Sequence, residues 1–156
     1  MEKPFEDLKF PTPEQFQKST RRLLMTCGTR VIDGVVKGIL DETNPGGGAQ
    51  KRNAESTIKR KGHDHPLIGG SAQSPLLAKQ STYRKDYNAS GRYVEVRLKP
   101  VRADVGVYVE RKGYWFFSVT PWAVTQMDKL VRQYCKNWAH WLTNPVAIDT
   151  GAASGE

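Results

Sequence analysis

The sequence predicts an α+β fold in which an antiparallel sheet of about four strands is packed by a long N-terminal helix and a C-terminal helix. Apolar residues recur at helical spacing near both ends of the chain, whereas they alternate with polar residues between Tyr93 and Val119. The chain of 156 residues has the size of one ordinary domain, so we expect a single domain over residues 1–156. The predicted strands cover residues 81–87, 93–99, 103–110 and 114–119.

Both predicted helices begin at a Thr-Pro pair. Thr12 and Thr120 carry the side chain of a helix N-cap, and proline is favoured at the first helical position that follows. The first helix is predicted over residues 13–41 and the second over residues 121–142. Each is followed by an Asn-Pro pair, and proline cannot extend a helix.

The central strands are predicted from alternation of β-branched residues. Val105, Val107 and Val109 alternate with other residues, which favours a strand over 103–110. Residues 110–113 fit a type I turn that Gly113 closes in the left-handed conformation. This turn leads into the last predicted strand.

The segment 114–119 is the most aromatic part of the chain. As a strand it would point aromatic side chains to both faces, so both faces need cover. We expect a helix on one face and a partner subunit on the other. Two tryptophans near the end of the second helix also suit a subunit contact. The interface candidates are Tyr114, Phe116, Trp138 and Trp141.

Three stretches lack any periodicity. We expect residues 1–12 to form an N-terminal arm that is ordered on a neighbour, and residues 146–156 to form a flexible tail. Residues 43–75 are rich in glycine and proline and are predicted to be a long mobile loop.

The net charge of +8 is concentrated in the middle of the chain. Residues 50–102 carry twelve basic and four acidic side chains, which accounts for the whole excess. Such a block is an electrostatic footprint for phosphate or for an acidic protein surface; the alternative is a loop kept soluble by lysine and arginine. The residues expected to face a partner are Lys51, Arg52, Lys59, Arg60, Lys61, His63 and His65.

No catalytic constellation stands out, and we expect no enzymatic activity, no cofactor and no metal. His63-Asp64-His65 is the one cluster with metal-ligand chemistry, but a closed zinc site needs four ligands and no further Cys or His follows at a suitable spacing. The chain also lacks a run of about eighteen apolar residues, so we expect no membrane span. A signal peptide is not expected either.

The basic loop carries a family resemblance. Residues 57–68 read Thr-Ile-Lys-Arg-Lys-Gly-His-Asp-His-Pro-Leu-Ile. This segment resembles the T-I-x-x-K-G-x-x-x-P-L-I segment of the tail-completion proteins of tailed bacteriophages, which are also called neck or head–tail joining proteins. The family usually continues with D-T-G, where this chain has Gly69-Gly70-Ser71. The predicted order of long helix, loop, sheet and C-terminal helix is also similar to that family.

The resemblance implies a structural virion protein that forms a ring, a hexamer by this resemblance, with its basic loop towards the channel. The implied partners are the head connector or adaptor protein and the tail terminator or tail tube protein. Double-stranded DNA in the channel is a further candidate partner. The implied location is the neck or tail of the virion, after assembly in the cytoplasm of a bacterial host.

Two other classes of protein remain as alternatives. In the first, a small basic nucleic-acid-binding module, an open sheet would present stacking and phosphate-binding groups. Those groups are Tyr83, Tyr87, Tyr93 and Arg97. The second is an enzyme, such as a toxin ribonuclease that uses basic residues without a metal.

Overall fold

In the computed structural model, the described part of the chain consists of four helices and one β-hairpin. It comprises residues 10–68, 76–90, 94–101 and 103–143, so most of the predicted arm and the whole predicted tail lie outside it. The elements are α1 (Pro13–Leu40), α2 (Glu55–Lys61), β1 (Tyr83–Ala89), β2 (Val94–Pro100), α3 (Ala103–Arg111) and α4 (Pro121–Thr143). Two single 3-10 turns, Leu76–Ala78 and Gln80–Thr82, precede β1.

Helix α1 begins where the Thr-Pro signal predicts. The Oγ1 of Thr12 accepts a hydrogen bond from the backbone N–H of Gln15 at 3.2 Å, and the Oε1 of Gln15 accepts one from the N–H of Thr12 at 2.9 Å. This reciprocal capping box satisfies two N–H groups that no helical carbonyl can reach. Helix α4 has only the first of these two bonds, since the Oγ1 of Thr120 accepts from the N–H of Ala123 at 3.2 Å. The predictions for both long helices are confirmed.

The two long helices pack against each other in antiparallel directions. Near the start of α1, the hydroxyls of Thr20 and Tyr134 lie 3.1 Å apart. Near its end, a Cβ added to Gly34 would overlap the Thr120 hydroxyl and lie 3.1 Å from the Cβ of Ala123. Glycine at position 34 therefore allows the start of α4 to approach the backbone of α1.

The prediction of a sheet of about four strands is wrong. The described residues contain one antiparallel pair, β1 with β2, in which Tyr83 pairs with Pro100 and Ala89 with Val94. Residues 103–110, predicted to be a strand, belong to α3. Val105 and Val109 lie four residues apart and both pack on the core, whereas Val107 is exposed. Tertiary packing therefore outweighed the β-propensity of these valines, since a short apolar run fits either period.

The predicted hairpin turn at 110–113 is the C-terminal cap of α3. Gly113 does adopt the left-handed conformation, with φ of 85°. The N–H of Tyr114 bonds to the carbonyl of Val109, and the N–H of Gly113 to that of Glu110, which is the Schellman pattern. Residues 114–119 then run without regular secondary structure, so the predicted fourth strand is also wrong.

The core lies where α1, the hairpin, α3 and the segment after α3 meet. Phe116 is 2% exposed within it, and the ring of Phe117 stacks on that of Tyr83 with centroids 5.7 Å apart. The phenol of Tyr83 donates a hydrogen bond to the carbonyl of Leu77 at 2.6 Å. The buried cluster contains Ile32, Val35, Ile39, Leu77, Ala78, Tyr83 and Phe116.

We predict that Gly34→Ala lowers the free energy of unfolding by about 1–3 kcal/mol, because the new methyl group overlaps the hydroxyl that caps α4. The matched control is Gly28→Ala. Its methyl group would meet side-chain atoms of Leu98 and Val96 at 3.2 Å, and alanine gains about 1 kcal/mol of helix propensity. Urea unfolding measures the free energy of unfolding of both variants. Equal losses in the two variants would contradict the close packing of α4 on α1 at Gly34.

We predict that the protein loses stability as the pH rises above about 10, which is the ordinary pKa of a tyrosine side chain. Burial raises the pKa of Tyr83, so the folded state keeps a proton that the unfolded state has released. Tyr83→Phe should cost about 1 kcal/mol at neutral pH and flatten this alkaline loss. Urea unfolding between neutral and alkaline pH tests it against Tyr108→Phe, an exposed control. If the free energy of unfolding of Tyr83→Phe falls with rising pH as steeply as that of wild type, the assignment of the alkaline loss to Tyr83 is contradicted.

Candidate functional site

The start of the basic loop is folded around Asn44. The Oδ1 of Asn44 accepts from the N–H groups of Gly46 and Gly48 at 2.9 and 3.2 Å, and its Nδ2 donates to the carbonyl of Ala49 at 3.1 Å. An asparagine side chain that bonds its own following backbone is a common way to close a tight turn. The chain reverses here and places residues 50–53 beside α3.

The side chains of Gln50 and Lys51 attach the loop to the residues that follow α3. The Nε2 of Gln50, a residue that is 7% exposed, donates to the carbonyl of Trp115 at 2.8 Å. The Nζ of Lys51 donates to the carbonyl of Lys112 at 2.6 Å. A cation is favoured at a helix C-terminus, where backbone carbonyls lack helical partners.

Helix α2 forms in the middle of the predicted loop and was missed by the sequence analysis. It ends at Gly62, whose φ is 75°. The Nδ2 of Asn53, just before the helix, donates to the carbonyls of Asp64 and His65, both at 3.1 Å. The Nζ of Lys61 also donates to the carbonyl of His65, at 3.0 Å. Residues 53–65 therefore form a closed unit.

An open cleft of about 1280 Å³ separates this unit from α3. Its floor is apolar and its rim carries lysines and arginines. Three sides contribute: the loop before α2, α2 itself, and α3 with its C-terminal turn. The lining residues are Lys51, Arg52, Asn53, Ala54, Ser56, Thr57, Arg60, Lys61, Leu67, Ile68, Leu77, Val105, Tyr108, Val109, Lys112 and Tyr114.

The cleft is strongly cationic. Among the described residues that line it are five lysines and arginines and no aspartate or glutamate. The pKa of Lys61 is lowered, first by burial of the ammonium and then by the charge of Arg60, while Asp64 opposes the shift. Burial is the larger cause of this lowered pKa, and the nearby charge of Arg60 adds to it. The cleft can therefore accept an anionic group that supplies the missing counter-charge.

Two tyrosines lie beside these cations. The Nζ of Lys51 is 5.6 Å from the ring centre of Tyr114, and the Nζ of Lys112 is 5.5 Å from that of Tyr108. The phenol of Tyr114 is fixed, since it donates to the Oδ1 of Asn53 at 2.9 Å, and burial raises its pKa. Tyr108 is 61% exposed and remains accessible at the rim.

The structure brings together four of the seven residues predicted to face a partner: Lys51, Arg52, Arg60 and Lys61. Lys59, His63 and His65 do not line the cleft. The sequence analysis missed Lys112, which it placed in a hairpin turn. Its position became clear only once residues 103–111 were seen to be helical.

The predicted interface candidates are less accessible than expected. Phe116 is 2% and Trp141 6% exposed, so both are buried by their own chain. Trp138 is half-buried against other aromatic rings, and Tyr114 is held in the cleft. The large apolar side chains that remain exposed near the start of α4 are Trp115, Val119, Trp122 and Val124.

The histidine motif does not assemble a metal site from the part of the chain that the structure describes. The rings of His63 and His65 lie 5.2 Å apart, but no group of three potential ligands comes together there or elsewhere in those residues. The Nδ1 of His65 instead lies 2.5 Å from the Oε1 of Glu42, which ties the end of the loop to the end of α1.

The stacking platform of the nucleic-acid-binding alternative is not formed by the hairpin. Tyr83 is buried in the core, and the guanidinium of Arg21 covers the ring of Tyr87 at 5.1 Å from its centre. The guanidinium of Arg97 pairs with Glu95 at 2.7 Å. Tyr93 lies outside the described residues.

Comparisons with known proteins give no assignment: no family model, curated protein or solved structure matches the chain. Within the described ranges, no helix has both the length and the apolar character needed to cross a membrane.

We predict that Gln50→Ala loosens the attachment of the loop without unfolding the domain. The carbonyl of Trp115 would lose its buried donor, at a cost of about 1–3 kcal/mol. Hydrogen exchange should then accelerate in residues 43–53 and 112–116, whereas the exposed control Gln17→Ala should leave both segments unchanged. Unaltered exchange in the Gln50 variant would show that this bond does not hold the loop.

Proposed function

We propose that this chain is a structural virion protein, not an enzyme, that forms a ring between the head connector and the tail tube of a tailed bacteriophage. The observation that carries the proposal is the cationic cleft. One of its walls is α2 and the residues after it, which belong to the segment 57–68 that resembles tail-completion proteins. The segment that resembles tail-completion proteins therefore lines the cleft, whose described lining residues include lysines and arginines but no carboxylates.

The charge pattern supports a partner that is acidic or carries phosphate. Among the described residues, no ion pair joins any of the five cations of the cleft to a carboxylate. In a ring, such a cleft would repeat around the channel. The tail terminator or tail tube protein, the connector or adaptor protein, and double-stranded DNA are the partners proposed to meet it.

Exposed apolar surface supports an oligomer. Trp115 is 51% exposed, and Val119, Trp122 and Val124 follow it within ten residues. A large apolar surface on a folded chain commonly marks a protein contact. A ring requires two different faces that complement each other, and it closes when the rotation between copies allows. We assign this apolar segment to one of those faces.

A nucleic-acid-binding module is the second candidate, and the exposed ring of Tyr108 favours it. This ring lies at the rim of the cleft beside Lys112, an arrangement that suits base stacking next to a phosphate contact. A monomer whose affinity for single-stranded nucleic acid falls steeply with salt would support this candidate over the ring.

We predict that Arg52→Ser, Lys59→Ser and Arg60→Ser, made together, leave the protein folded but block the joining of heads to tails in the phage that encodes it. These three side chains are exposed; Arg52 and Arg60 line the cleft, and Lys59 lies next to Arg60 on α2. Their charged groups make no hydrogen bond or ion pair with another described residue. The measurement is the yield of infectious particles, with free heads and free tails counted by electron microscopy.

The matched control removes the same charge elsewhere. Lys18, Lys129 and Lys136 are exposed on α1 and α4, and their change to serine should leave the particle yield within a few fold of wild type. A variant with all three changes at Arg52, Lys59 and Arg60 that assembles and infects like wild type would contradict the proposed role of these charges.

A further inference from the structure

The cleft is a groove between two helix faces. One face of α3 and the residue after that helix form the first wall, at a spacing of three and four residues: Val105, Tyr108, Val109 and Lys112. The facing wall is α2, through Thr57, Arg60 and Lys61. The volume of about 1280 Å³ exceeds the roughly 300–1,000 Å³ of most small-molecule pockets. A groove of this size fits a segment of a macromolecule better than a single small molecule.

The floor of the groove is aliphatic and is only partly covered by its own chain. Leu77 is buried, whereas the other floor residues are half-buried: Leu67, Ile68, Val105 and Val109. All five pack in or against the core cluster, so the floor is held in place by the rest of the fold. Apolar surface that is left in contact with water favours a ligand whose apolar side chains cover it.

Leu67 has an unusual backbone conformation in this floor. Its φ is 39°, in the left-handed region, and the N–H of Ile68 donates to the carbonyl of Pro66 at 2.5 Å to close a three-residue turn around it. Side chains with a Cβ disfavour this region, and glycine or asparagine is its usual occupant. Backbone strain of this kind is concentrated at ligand sites. The turn therefore holds a leucine on the groove floor at a cost in backbone strain.

The rim favours negative charge and the floor favours apolar groups. The described lining contains five lysines and arginines, and no aspartate or glutamate. Duplex DNA would bring phosphates to the rim, but its bases stay stacked inside the duplex and leave the floor uncovered. A single strand would stack its bases on the tyrosines of the rim, since the floor contains no aromatic ring. A peptide with carboxylates next to aliphatic side chains uses both surfaces.

We propose that the cleft binds a peptide segment of a partner protein in which aliphatic side chains lie next to carboxylates. The aliphatic side chains cover the floor around Leu67 and Val109, and the carboxylates pair with the cations of the rim, among them Arg52 and Arg60. This occupant rests on the proposed function: among the partners named there, it selects a protein segment and not DNA.

Selection from a random peptide library tests the chemistry of the occupant. Beads that each display one random peptide are incubated with the fluorescently labelled full-length protein, and the peptides on bright beads are sequenced. We expect enrichment, relative to the whole library, of peptides that combine aspartate or glutamate with leucine, isoleucine or valine. Selected peptides that lack either kind of side chain, or no selected peptides at all, would overturn the proposal.

Variants of the rim show where the selected peptide binds. By fluorescence anisotropy, Arg52→Ser with Arg60→Ser should raise the Kd of the best peptide about tenfold, since two ion pairs are lost. The matched control, Lys129→Ser with Lys136→Ser, removes the same charge from exposed positions of α4 and should change the Kd less than about twofold. Equal effects of the two double variants would place the peptide outside the cleft and contradict the proposal.

Leu67→Asn tests the floor. Asparagine is similar in size and tolerates a positive φ better than leucine, so the turn is retained while the apolar contact is lost. The Kd should rise about tenfold, whereas Leu40→Asn, at a site 56% exposed and outside the cleft, should leave it within about twofold. Serine in place of the aliphatic residues of the peptide tests the same contact on unaltered protein. A Kd that this peptide keeps would show that the floor is not used.

A labelled oligothymidylate strand tests the nucleic-acid alternative in the same buffer. If it binds more tightly than the best peptide, and Arg52→Ser with Arg60→Ser abolishes that binding, the cleft is a nucleic-acid site and the proposal is overturned.

Failure of this proposal is distinguishable from failure of the proposed function. The peptide measurements use purified protein without phage, so acidic and aliphatic peptides should still be selected even if the chain never enters virions. Conversely, a chain that forms rings and completes virions keeps its proposed function if no such peptide is selected, while the peptide proposal is lost.

Discussion

The attachment of the basic loop to the end of α3 is the constraint on which the candidate site depends. Gln50 and Lys51 donate to the carbonyls of Trp115 and Lys112, which lie 65 and 61 residues further along the chain. The carbonyl of Lys112 is available because α3 ends at Arg111 and its cap leaves this carbonyl without a helical partner, and the carbonyl of Trp115 lies in the irregular segment that follows. The helix end and the segment after it thus supply the acceptors, and the loop supplies the donors.

The consequence of that attachment is a concentration of positive charge. It places Lys51 and Arg52 opposite Lys112 and near Arg60 and Lys61, around a common space. Hydrogen bonds to carbonyls and contacts with tyrosine rings offset part of the repulsion, but they add no negative charge. A partner with carboxylates or phosphates would remove the rest, and this is the physical reason to regard the cleft as a docking surface.

The long helices were predictable because their end signals are local. The capping residues Thr12 and Thr120 and the prolines after them fix where α1 and α4 begin whatever lies nearby. The identity of α3 was not predictable in the same way. Its valines satisfy a strand pattern, and only the packing of Val105 and Val109 on the core decides for a helix. The left-handed Gly113 was predicted correctly but assigned to the wrong structure.

The sequence predicted most of the basic residues of the candidate site, but it did not predict how the fold brings them together. The basic residues of 51–61 stand out in the sequence, yet Lys112 joins them only through the fold of α3 and its cap. Likewise, the predicted strand with aromatic side chains on both faces indicated Phe116 as a contact residue, although the core buries it and leaves Trp115 exposed. Alternation within a segment cannot tell which face the rest of the chain will cover.

The central claim is that this chain assembles into a ring that presents the cationic cleft to a partner, and the shape of the purified particle tests the ring most directly. Negative-stain electron microscopy of the full-length protein, alone and with its connector, should show closed rings with one central opening. Sedimentation velocity on the same samples should give a mass several times that of one 17.5 kDa chain. A folded monomer at every protein concentration, with or without the connector, would contradict the account.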